Sequence, residues 1–142
     1  MFSSFIILLN FPRFGRMKGM GQIITYSIRD ESLHVEAMTK LFRDYIQENI
    51  ELWTDDLKKE IYQACRDMVD LEDRFLNLVF EMGNIEGLTQ AEMKQYIRYI
   101  ADRRLLQLGL KPNYNVKDNP LGWLDDVLGL SLIHISEPTR PY

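Results

Sequence analysis

Ser27-Ile28-Arg29-Asp30-Glu31-Ser32-Leu33-His34 sits in the middle of a run, residues 18–48, whose inner stripe is Ile24, Ser27, Glu31, His34, Met38 and Leu41. Steps of three and four place these side chains on one face of a helix. Glu31 and His34 therefore leave the helix together, one turn apart. On this reading a carboxylate and an imidazole point into the interior of a helical bundle, between apolar neighbours. A buried carboxylate without a partner costs several kcal/mol, so it must meet a cation or a strong donor. Oxygen and imidazole donors together suit iron or manganese.

Outward from this stretch, helical patterns account for nearly all of the sequence. Residues 1–16 form a helix that is apolar nearly all round, so it is expected in the middle of a larger bundle. Its apolar run, Phe5-Ile6-Ile7-Leu8-Leu9, has no basic lead-in and no small-residue cleavage site, unlike a secretion signal. It is also too short to cross a membrane. Thr54 is placed to cap a third helix, with Asp55 and Asp56 in its first turn. That helix carries Leu57, Ile61, Ala64, Met68, Leu71, Phe75, Leu78 and Met82 at alternating steps of four and three, a pattern that predicts its buried face. Gly83-Asn84 ends it. Thr89-Gln90-Ala91-Glu92 reads as a capping box opening a fourth helix, which runs through Tyr96, Ile97, Ile100 and Leu105 to Gly109. Residues 110–120 read as a loop, followed by a short helix from Pro120 to Leu128. No sustained alternation of apolar and polar residues predicts a strand. The expected fold class is all-α.

Composition narrows the function. In 142 residues, 46% are hydrophobic and 27% charged, an ordinary balance for a folded domain. A net charge of −4 argues against a nucleic-acid partner, which would require a basic surface. The single cysteine, Cys65, excludes an internal disulfide and suits a reducing, cytoplasmic setting; its position on the helix reads as packing.

Glu-x-x-His projecting inward from a long helix is the half-site found in ferritin-like di-metal carboxylate proteins. By itself the spacing is weak, and a surface glutamate beside a satisfied histidine fits it too. His134 is the only other histidine, so the chain holds no second copy of the motif. The wider pattern is more specific. Gly19-Met20-Gly21-Gln22-Ile23-Ile24, the segment Ser27 to His34, Phe80-Glu81-Met82-Gly83, the segment Gln95 to Leu105, and Asn119-Pro120-Leu121-Gly122-Trp123 follow in order. Together they resemble the small (beta, R2-type) subunit of class I ribonucleotide reductase, over about residues 1–129.

The resemblance implies a ferritin-like bundle in which Glu31 and His34 are ligands of one metal ion. It implies that Asp30 hydrogen-bonds a ligating histidine of an earlier helix and lies on a radical-transfer path. A surface ion pair with Arg29 or Lys18 is the plainer alternative for Asp30. Ser4 and Phe5 match a segment lining the apolar radical pocket, although plain packing accounts equally well for Phe5. The implied cofactor is a di-metal centre, Fe/Fe first, with Mn/Fe or Mn/Mn pairs left open. The implied partners are the large reductase subunit and a second small subunit in a homodimer, with no nucleic acid and no membrane. The other ligands and the radical-bearing residue would precede Met1, so this chain reads as a C-terminal half that is inactive alone. Residues 130–142 depart from the family and resemble a translated sequencing-library adaptor, a non-native tail. Two alternatives remain at this level: another ferritin-like di-metal carboxylate oxidase, and a metal-free helical interaction protein.

Overall fold

A computed structural model describes residues 2–128; the proposed boundary at 129/130 and the tail 130–142 lie outside the described residues. Five α-helices follow one another: α1 (Phe2–Arg13), α2 (Lys18–Glu48), α3 (Asp55–Glu81), α4 (Gln90–Gln107) and α5 (Trp123–Leu128). A 3-10 turn at Ile50–Leu52 joins α2 to α3. Among the described residues there is no β-strand, only an isolated bridge between Ile85 and Leu88. No described helix is long and apolar enough to cross a membrane.

The helix ends follow local chemistry. Thr54 accepts a hydrogen bond from the Leu57 amide at the start of α3. At α4 the capping box closes in both directions, Glu92 N–H to Thr89 Oγ1 at 3.2 Å and Thr89 N–H to Glu92 Oε2 at 3.1 Å. The entry to α2 is less comfortable, because Met17 adopts left-handed backbone at φ 47° with no side-chain cap.

α1 is the hub. It packs against α2 on one side and meets α3, α4 and α5 on the other, while α3 and α4 pack along each other. The core gathers Ile6 and Leu9 of α1, Val69 and Leu76 of α3, Met93, Tyr96, Ile97 and Tyr99 of α4, and Leu121 and Leu124 near α5. The close α1–α2 approach depends on Gly21, where a Cβ would lie 2.5 Å from Pro12 Cγ.

Two expected faces are turned differently. On α3 the buried positions are Val69, Glu72 and Leu76, whereas Met68, Leu71, Phe75, Leu78 and Met82 are exposed. The burial is rotated by roughly 100° from the apolar stripe. On α2 the inward residues are Gly21 and Ile46, with Ile28, Val35 and Phe42 half-buried; Met38 and Leu41 are 63% and 59% exposed. The early part of each stripe is half-buried, at Ile24 and Ser27 of α2, with Ile24 against the core, and at Leu57 and Ile61 of α3. The rest is exposed for the same physical reason in both helices: the periodicity marks a face fit for burial, but no element among the described residues covers it. Nor is α1 apolar-buried all round, since Ser3, Ile6, Leu9 and Asn10 are inside and Phe2 and Phe11 lie partly in solvent. Cys65 is half-buried.

Candidate metal centre

α2 carries the candidate donors. Its 31 residues form a rod about 46 Å long; Ile46 near its far end is buried, and at its near end α1 packs against the portion around Gly21. Glu31 and His34 lie just beyond that portion, separated by about 60° around the helix axis. The sequence expectation that both point into the bundle is not met within this chain, where both side chains are exposed. The reason is again a missing neighbour, since the Glu31/His34 face continues the open stripe through Met38 and Leu41. Among the described residues neither Glu31 nor His34 has a hydrogen-bond or ion-pair partner, so neither is committed elsewhere. Asp30, also exposed, forms no ion pair with Arg29 or Lys18. Ser4 and Phe5 lie half-buried on α1.

Glu31 and His34 alone would fill at most half of a metal site. One carboxylate and one imidazole match the chemistry of an iron or manganese centre, but among the described residues no three His, Cys, Asp or Glu side chains gather to enclose an ion. The fit is in type and spacing, and it is incomplete in number.

The strongest carboxylate chemistry lies elsewhere and is structural. Asp102, 2% exposed, accepts hydrogen bonds from the backbone amides of Asn113 and Tyr114 at 2.8 and 2.9 Å through Oδ1, and of Val116 at 2.9 Å through Oδ2. It thereby pins the loop after α4. Glu72 accepts from both the amide and the hydroxyl of Ser3, tying α3 to the first turn of α1. Burial pushes Glu72 upward, but the charged amino terminus first, and then the two hydrogen bonds from Ser3, outweigh it and hold the carboxyl below its ordinary value. Arg98 pairs with Asp73 through two bonds of 3.0 and 2.7 Å, joining α4 to α3. Sequence reasoning passed over these residues. For Glu72 a signal existed, since it stands three after Val69 and four before Leu76 on one stripe. For Asp102 there was none, because α4 is buried on several sides and has no single apolar face.

Long helices packed as hairpins, one of them presenting Glu-x-x-His, define a ferritin-like helical protein. Residues 1–120 match the family model described as ribonucleotide reductase, small chain, and the chain belongs to that family. It is 47% identical, over 90% of its length, to a probable ribonucleoside-diphosphate reductase small subunit of Invertebrate iridescent virus 3, covering 34% of that protein. It is 35% identical to the ribonucleoside-diphosphate reductase subunit beta of Chlamydia pneumoniae, covering 92% of this chain and 37% of that one. Among solved structures, the ribonucleotide reductase R2 subunit from Clostridium botulinum superposes with a TM-score of 0.84 at 29% identity, over 89% of this chain and 40% of the other. The chain thus spans between a third and a half of the length of these relatives.

Proposed function

We propose that this chain is the portion of a ribonucleotide reductase small subunit that supplies one half of its di-metal centre. Glu31 and His34 bind one metal ion through carboxylate oxygen and imidazole nitrogen, and the remaining ligands come from helices laid against the open face of α2. Asp30 holds the ring of a histidine ligand on such a helix, fixing its tautomer and orientation. Ser4 and Phe5, on the helix packed beside α2, help line the water-poor pocket next to the centre. The metal pair is iron. When bound, it supplies the oxidising equivalent that the large subunit uses to reduce ribonucleotides to deoxyribonucleotides. The complete small subunit works as a homodimer, with that large subunit, in the cytoplasm.

The observation that carries this reading is the pair Glu31 and His34, one turn apart and uncommitted on an open helix face, inside the segment that matches the family. The experiment is a chimera. Residues 1–128 replace the matching segment of the iridescent-virus small subunit, and iron per chain and reductase activity with that virus's large subunit are measured. The chimera should load iron and be active, and Glu31→Ala or His34→Ala should lose iron and activity together. Full iron loading in both variants would refute the ligand assignment. A metal-free interaction protein would give a chimera indifferent to both substitutions.

A further inference from the structure

α2 is held near both ends, and Glu31 and His34 lie between the two holds. Near its start Gly21 is buried against Pro12 of α1, where an added Cβ would lie 2.5 Å from Pro12 Cγ. The chain reaches that contact through a tight elbow. The Phe14 and Arg16 amides donate to the Phe11 carbonyl, the Gly15 amide donates to that of Pro12, and Gly15 and Met17 take left-handed backbone. One and two turns further on, Ile24 and Ile28 rest half-buried on the core. At the far end Ile46 is buried. At 1.5 Å per residue, Glu31 and His34 fall about 15 and 20 Å beyond Gly21 along the helix, and Ile46 about 38 Å beyond it.

We infer that Gly21 and Pro12 are positioning residues for the metal centre: their contact sets the separation of α2 from α1 and, through α2, where Glu31 and His34 present their donor atoms. This rests on the reading of Glu31 and His34 as ligands. A Cβ on Gly21 must retreat from 2.5 Å to an ordinary carbon–carbon contact of about 3.5–4.0 Å, and the proline ring cannot fold aside to receive it. α2 therefore moves outward by about 1 Å at Gly21. Turning as a rod about its buried end at Ile46, it carries the half-buried Ile24 and Ile28 with it. The displacement falls off linearly along the rod, to ~0.6 Å at Glu31 and ~0.5 Å at His34. Metal–ligand distances tolerate only about 0.2 Å, so a methyl group more than two turns away from Glu31 is enough to misplace both donors.

The test uses the iridescent-virus chimera, which brings the remaining ligands. At a temperature where circular dichroism shows the variants folded, Gly21→Ala should weaken iron binding by about tenfold or more and shift the visible absorption of the bound iron. Adding Pro12→Gly to Gly21→Ala should restore most of both, because loss of the ring makes room for the new methyl group. Asp102→Ala controls for mere instability: it should lower the melting temperature and leave the absorption unchanged. Pro12→Ala alone opens the same contact without adding bulk. It should weaken iron binding by a smaller factor, and it decides the matter should Gly21→Ala not fold. Normal iron affinity and absorption in Gly21→Ala, or in Pro12→Ala where that variant decides, would overturn the inference. So would the same spectral shift in Asp102→Ala, or no recovery with Pro12→Gly. Glu31→Ala and His34→Ala in the same chimera judge the ligands separately: if they lose iron while Gly21→Ala keeps it, only the positioning role falls.

Discussion

Gly21 of α2 faces the ring of Pro12 so closely that an added Cβ would lie 2.5 Å from Pro12 Cγ and 2.9 Å from Pro12 Cβ. Neither atom belongs to a flexible chain end, so Gly21→Ala must separate the helices or distort one. We expect a loss of about 1–3 kcal/mol, the usual cost of overpacking. Urea denaturation of the variant checks it, and an unchanged midpoint would show that α2 shifts freely on α1. Pro12→Gly in the same chain should recover part of the loss, less the cost of a glycine near a helix end.

Asp102 satisfies three backbone amides of residues 113–116 from a position closed to solvent. Asp102→Ala would leave those amides without their acceptor, and each unsatisfied buried group costs about 1–3 kcal/mol. A loss of several kcal/mol is expected, with accelerated amide hydrogen exchange at Asn113, Tyr114 and Val116. Retained protection at these three amides would mean that the loop is held by something else.

Glu72 should give stability a pH dependence on the acid side. Its folded-state carboxyl titrates below the ordinary value of 4.5, so the unfolded chain takes up the proton first as pH falls. The contribution is therefore complete above about pH 5 and is lost as pH drops through the folded value. Glu72→Gln should flatten the acid limb of a thermal-stability profile measured from pH 7 to pH 3. An identical slope in the variant would remove Glu72 from the account.

Arg98 and Asp73 bridge α4 and α3 with a two-pronged pair whose side chains are 30% and 20% exposed. Lys59 and Asp56, on the surface of α3, are 77% and 88% exposed. A double-mutant cycle should give about 1–2 kcal/mol for the first pair and under about 0.5 kcal/mol for the second. Equal couplings would show that the pairing of α3 and α4 does not depend on Arg98.

Gly87 has left-handed backbone, φ 71°, and a Cβ there would lie 2.6 Å from Phe14 Cζ. Gly87→Ala combines backbone strain with a steric clash, and a loss above about 1 kcal/mol is expected. By contrast, Met17→Gly relieves a left-handed methionine in open solvent and should change stability by no more than about 1 kcal/mol in either direction. Matched thermal melts of the two variants check both statements.

What the sequence determined by itself was local. Thr54 and Thr89-Glu92 set the starts of α3 and α4 through contacts within one turn, and the limits of α2 follow from its periodicity. The Glu-x-x-His spacing and the ordered blocks around it identified the family without coordinates. What only the tertiary structure decided was which neighbour each face receives. The stripe of α3 through Met68, Leu71, Phe75 and Leu78 was legible as apolar, yet α1 and α4 pack instead on the side of Val69, Glu72 and Leu76. Glu31 and His34 were legible as a pair, but their exposure depends on what packs against α2, and periodicity along one helix carries no information about the next. Asp102 and Glu72 have the same origin: their partners, 11 to 14 and 69 residues away in sequence, are assembled only when the chain folds.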